Sequence, residues 1–130
     1  MTDIPSERFD PAARHVGILV FDEVEVLDFC GPFEVFSSAA APAAPGEPEP
    51  HLFRVSIVAE RPGPVRCRGG LVVVPHHALD DHPRFDLIVV PGGYGTRREQ
   101  ENPVGPSRCR FKLLRSQRGK VRTCLCERPA

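Results

Sequence analysis

Two stretches of this sequence combine residue types that can do chemistry. In the first, Leu27-Asp28-Phe29 sets one carboxylate between two apolar side chains, just ahead of Gly31-Pro32. A carboxyl group held partly out of water beside a chain turn is suited to give or take a proton. The same residue could equally cap a helix starting at Pro32, a residue suited to a first helical turn. In the second, Pro91-Gly92-Gly93-Tyr94-Gly95-Thr96 closes an apolar run. Glycines at the end of a buried strand leave backbone N–H groups free to face a ligand or an oxyanion, although a plain tight turn reads the same way.

Other reactive side chains make weaker patterns. Cys30 lies near the expected helix start, where a thiolate is favoured, but a small apolar filler explains it as well. His76 and His77 are adjacent, so they point in different directions and make poor joint metal ligands; they read as surface histidines. Cys109, Cys124 and Cys126 have no fourth ligand at a suitable spacing. No metal site and no cofactor is expected.

The elements that must position these residues are legible as apolar runs. Val16 to Phe21 and Phe85 to Val90 are nearly uninterrupted, as strands buried on both faces of a parallel sheet are. Leu52 to Ala59 reads as a further parallel strand. Phe33, Phe36 and Ala40 share one face of the helix expected from Pro32. Ala39 to Pro50 is an Ala/Pro-rich surface linker. Gly69-Gly70, between Val65–Arg68 and Leu71–Pro75, predicts a hairpin lying outside the main sheet. His76 to Asp81 reads as a short helical turn, and Thr96 to Asn102 as a helix start capped by Thr96. If the first and third core strands are parallel neighbours, Asp28 should be largely buried and within reach of Gly92 and Gly93, because sites form at the carboxyl ends of such strands.

At 130 residues the chain makes one domain at most. Its apolar fraction of 41% is ordinary, and no run approaches the ~20 apolar residues of a membrane span. The N-terminus has no apolar signal core, so a cytoplasmic protein with free thiols is expected. The net charge of zero conceals a split: residues 1–103 carry 16 acidic and 9 basic residues, whereas residues 104–130 carry 1 acidic and 8 basic. Such a change marks a boundary.

The motifs V-G-I-L-V-F-D-E-V-E-V-L-D-F-C-G-P-F-E-V-F and D-L-I-V-V-P-G-G-Y-G-T-R-R-E, in this order, resemble the ThiJ/PfpI family, and the L-D-x-x-G-P version resembles its isonitrile hydratases. The resemblance spans residues 14–103. It implies an α/β, flavodoxin-like (class I glutamine amidotransferase-like) parallel sheet with helices on both faces, incomplete here at the C-terminus. It implies that Asp28 contacts a nucleophilic cysteine as general acid or base, that Gly92 and Gly93 form an oxyanion hole, that Tyr94 and Thr96 rim the pocket, and that Glu34 lines it. It also implies a small-molecule substrate and, for the full-length family, a homodimer.

The resemblance further implies a nucleophilic cysteine on a sharp elbow after a later strand. Residues 104–130 hold none: Cys109 lies between arginines, Cys124 follows Arg122-Thr123, and Cys126 precedes Glu-Arg-Pro. The nucleophile is therefore unknown. The expected organisation is a disordered lead-in over 1–13, the N-terminal part of a ThiJ/PfpI-type domain over 14–103, and a basic tail over 104–130 with no clear strand, read as a truncated or frameshifted end. The expected function is a cysteine-dependent hydrolase or lyase by ancestry, inactive in this form. The alternative is a ligand-sensing domain of the kind found at the N-terminus of AraC-type transcription regulators. Nucleic-acid binding has only the charge of the tail behind it.

Overall fold

The computed structural model of the chain describes residues 8–92 and the backbone of residues 122–125. The elements run β1 (Phe9–Leu19), α1 (Val26–Ser38), β2 (His51–Ala59), β3 (Val65–Arg66), a 3-10 turn (Arg68–Gly70), β4 (Val72–Val73), β5 (His77–Ala78), β6 (Leu87–Val90) and β7 (Arg122–Leu125). Five strands form one sheet in the order β5-β2-β1-β6-β7, and all its neighbours are parallel. The chain passes from β1 to β2 on one side, then returns to the other side of β1 for β6. This reversal makes the β1/β6 boundary a topological switch point of the flavodoxin-like kind.

The apolar runs account for the core strands. Along β1, Val16 and Ile18 face one side of the sheet and pack with Phe29 of α1; Leu19 faces the other side with Val58, Phe85 and Ile88. All seven are essentially inaccessible. A strand buried on both faces cannot alternate apolar with polar, which is why these segments read as continuous runs. Burying each such side chain stabilises the fold by about 1.5–3 kcal/mol.

Helix α1 begins six residues before the expected start and runs through Pro32. Proline lacks an N–H, so it cannot bond the Asp28 carbonyl one turn back, a defect that costs roughly 3 kcal/mol in a helix interior. Burial of Phe29 and the packing of Val26, Phe33 and Phe36 on the same core outweigh it.

Three further expectations are corrected. The N-terminal segment is not a lead-in as far as residue 13: β1 already starts at Phe9, which pairs with His51 across an irregular register, and the Arg54 guanidinium lies 4.1 Å from the centre of its ring. His76 to Asp81 is not a helical turn. His77 and Ala78 form β5, added to the β2 edge where His76 N–H donates to Ile57 O (2.9 Å) and Ile57 N–H donates to His76 Nδ1 (2.9 Å). Finally, residues 122–125 do form a strand, pairing with β6 from Leu87↔Arg122 to Val90↔Leu125, so β6 is not a sheet edge. The expected hairpin is present as β3–β4, separate from the main sheet. Gly69 and Gly70 take φ of 79° and 94° in its turn, a region that L side chains rarely adopt.

Candidate functional site

At the carboxyl end of β1 the chain enters a turn at Asp22-Glu23. Glu23 adopts φ 64°, unusual for a residue with a Cβ. Its N–H donates to Arg66 O (2.9 Å), and Arg68 N–H donates to Val24 O (3.1 Å), so the β3–β4 hairpin clamps this turn. Val24 is fully buried between them. Glu25 then makes the bond that defines the site: its N–H donates to Gly92 O (3.1 Å). This joins the loop after β1 to the glycine turn after β6, across the switch point. The Glu25 carboxylate reaches Arg68 Nη1 at 3.2 Å.

Asp28 sits in the first turn of α1, its N–H bonded to Glu25 O (3.2 Å). It is half-buried, not largely buried as expected, because the helix starts before it and presents it near the helix end instead of at the strand terminus. An acid in a first turn is favoured by the helix dipole. Its carboxylate has no hydrogen-bond partner among the described residues, and the helix has no side-chain cap. Pro91 is buried and Gly92 half-buried beside this turn. Gly93, Tyr94 and Thr96 lie outside the described residues, as does the helix start expected at Thr96. Glu34 is exposed two turns further along α1, where its main-chain carbonyl accepts the Ser37 and Ser38 hydroxyls.

Neither described thiol is poised as a nucleophile. Cys67 is buried; its pKa is pushed up by that burial and by the neighbouring Cys30, Asp22 and Glu23. Cys30 is exposed, so it is not the core filler that its neighbours suggest, and what shielding it has also pushes its pKa up. Thiols raised in this way stay protonated near neutral pH. Among the described residues no cluster of His, Cys, Asp or Glu could hold a metal. His76 is exposed, His77 half-buried, and the His76 Nδ1 is already taken by a backbone N–H. No described helix is long and apolar enough to cross a membrane.

Glu25 and Arg68 escape a sequence reading. Glu25 acts through its backbone, which carries no residue-type signal, and Arg68 is brought to it from 43 residues away.

A family profile described as the DJ-1/PfpI family matches residues 14–107. The isonitrile hydratase of Pseudomonas putida is 30% identical over 116 residues, which cover 88% of this chain and 44% of that protein. That share of the chain is more than residues 1–103 could supply, so the similarity runs into the basic tail. The chain spans about half the length of the curated relatives it matches. Among solved structures, a ThiJ/PfpI family protein from Pseudomonas syringae superposes with a TM-score of 0.56 at 25% identity, covering 79% of this chain and 40% of that one. Drosophila melanogaster DJ-1beta gives 0.62 at 21% identity, with 87% and 54% covered, a likeness of fold.

Proposed function

Since this chain belongs to the DJ-1/PfpI family, we propose that it supplies the acid and anion-binding half of a small-molecule site of the isonitrile-hydratase kind. The observation that carries this reading is the Glu25 N–H to Gly92 O bond, which holds the helix turn bearing Asp28 against the glycine turn at the carboxyl ends of two adjacent parallel strands. In a complete site a cysteine thiolate would add to an electrophilic carbon. The Gly92-Gly93 backbone would hold the developing negative charge, and Asp28 would deliver or accept the proton. Tyr94 and Thr96 would rim the pocket; Glu34, on an exposed face, contributes least.

In the same reading the 130 residues bind but do not turn over a substrate, because no cysteine stands in an elbow-like motif of the sequence. The two described thiols, both held towards the protonated form, support this and favour the alternative of a ligand-sensing domain like those of AraC-type regulators. A cytoplasmic location and a homodimer complete the proposal; a second copy would cover Leu27 and Val35, exposed on α1 at 69% and 68%.

The test is incubation of the purified chain with an alkyl isonitrile, following formation of the N-substituted formamide against a cysteine-free variant, with amide NMR shifts recorded in parallel. The expected result is no turnover above the control, and isonitrile-dependent shifts at Glu25 and Asp28 that Asp28→Asn alters. Turnover lost on Cys124→Ser or Cys126→Ser would overturn the inactivity; shifts indifferent to Asp28 would overturn the site.

A further inference from the structure

The opposite end of the sheet holds a second concave feature, independent of the site at the switch point. The edge of β2 is covered at its start, where Ala40 bridges His51 and Leu52 N–H donates to Ala39 O (2.9 Å). It is covered again at its end, where His77 and Ala78 pair with Val58 and Ala59. Residues 53–56 between these covers line an open groove of about 530 Å³, a size within the range of small-molecule sites.

The walls are aromatic. Phe33 and Phe53 come from α1 and β2, Phe9 from the start of β1, and the His76 ring lies parallel to that of Phe33 (5° apart, centres 6.4 Å). The polar groups are donors or switchable imidazoles, and no carboxylate side chain among the described residues lines the groove. Arg54 keeps one face of its guanidinium over Phe9 and makes no ion pair among the described residues. The Nδ1 of His51 is buried without a hydrogen-bond partner among the described residues. Ser56 Oγ lies 2.9 Å from His15 Nε2. A buried polar atom left unpaired costs about 1–3 kcal/mol, which a ligand atom bonded to it would recover.

We infer that this groove binds a small aromatic carboxylate. A flat ring fits between the aromatic walls. Arg54, the one arginine among the described residues lining the groove, presents a planar fork that matches one carboxylate. With its proton on Nδ1, the His51 imidazole would donate a further hydrogen bond to a carboxylate.

Titration of the full chain with benzoate, read by amide and histidine-ring NMR, tests this, with benzylammonium as the probe of like shape and opposite charge. Benzoate is expected to shift His51, Arg54 and Ser56, and benzylammonium to leave them unmoved. Arg54→Gln should weaken benzoate at least tenfold, and Arg54→Lys, which keeps the charge and loses the fork, should fall between the two. Asp28→Asn should leave benzoate binding unchanged, which separates this groove from the proposed site. Equal response to the two probes, wild-type binding by Arg54→Gln, or shifts centred on Glu25 and Asp28 would each overturn the inference.

Discussion

The ring of Phe85 lies across Gly17 so closely that a Cβ built on Gly17 would stand 2.7 Å from Phe85 Cδ2. Gly17 lies near the carboxyl end of β1, paired with Ser56 on one side and Ile88 on the other. The ring has nowhere to retreat: it is itself buried, meets His15 edge-on at 5.0 Å and stacks on His82 at 5.3 Å. Gly17→Ala is therefore expected to destabilise the fold by about 1–3 kcal/mol, the usual effect of overpacking. Gly31, in α1, meets no atom within 4 Å of a built Cβ. Gly31→Ala should stabilise by roughly 0.5–1 kcal/mol through helix propensity alone. Urea denaturation of the two variants, with Gly17→Ala/Phe85→Leu expected to recover part of the loss, checks the pair of predictions.

The site's cross-link can be removed without disturbing its backbone. Glu25 has φ −70° and ψ 120°, which proline adopts freely. Glu25→Pro thus deletes the N–H donated to Gly92 and the carboxylate, whereas Glu25→Gln deletes only the charge paired with Arg68. The glutamine variant should lose less than about 1 kcal/mol, as partly exposed ion pairs do. The proline variant should lose about 1–2 kcal/mol more and shift the Gly92 amide resonance, which the glutamine variant leaves in place. Equal stabilities would mean that the side chain, not the backbone bond, holds the two turns together.

His15 should make stability fall in mild acid. Burial pushes its pKa below the ordinary 6.5; the positive ends of His77 and Arg54 push it the same way, and Asp86 opposes them. A lowered native pKa means that the unfolded chain binds the proton more readily. The stabilisation is therefore complete above pH 6.5 and is lost as pH falls through the native pKa. His15→Gln is expected to flatten this dependence between pH 6.5 and 5. Arg54→Gln should raise the His15 pKa, as followed by its ring proton shifts.

The sequence by itself determined the strands β1, β2 and β6, the β3–β4 hairpin and the parallel sheet they imply. Each has a local cause: a continuous apolar run for burial on both faces, or two glycines for a turn at positive φ. It also placed the turn after β1 beside the turn after β6, because adjacent parallel strands share an edge; the residue that bonds Gly92 there is Glu25. Only the tertiary structure decided what depends on partners distant in the chain. Pro32 stays inside α1 because Phe29, Phe33 and Phe36 have a sheet to pack on. His77 and Ala78 become a strand because β2 offers an unpaired edge, and residues 122–125 become one because β6 does. The bond that joins the two turns of the candidate site uses the backbone N–H of Glu25, a group every residue but proline possesses, so no pattern of residue types could announce it. The groove along β2 is legible in no segment at all, since Phe9, Phe33, Phe53 and His76 meet only when β1, α1, β2 and the approach to β5 are brought together.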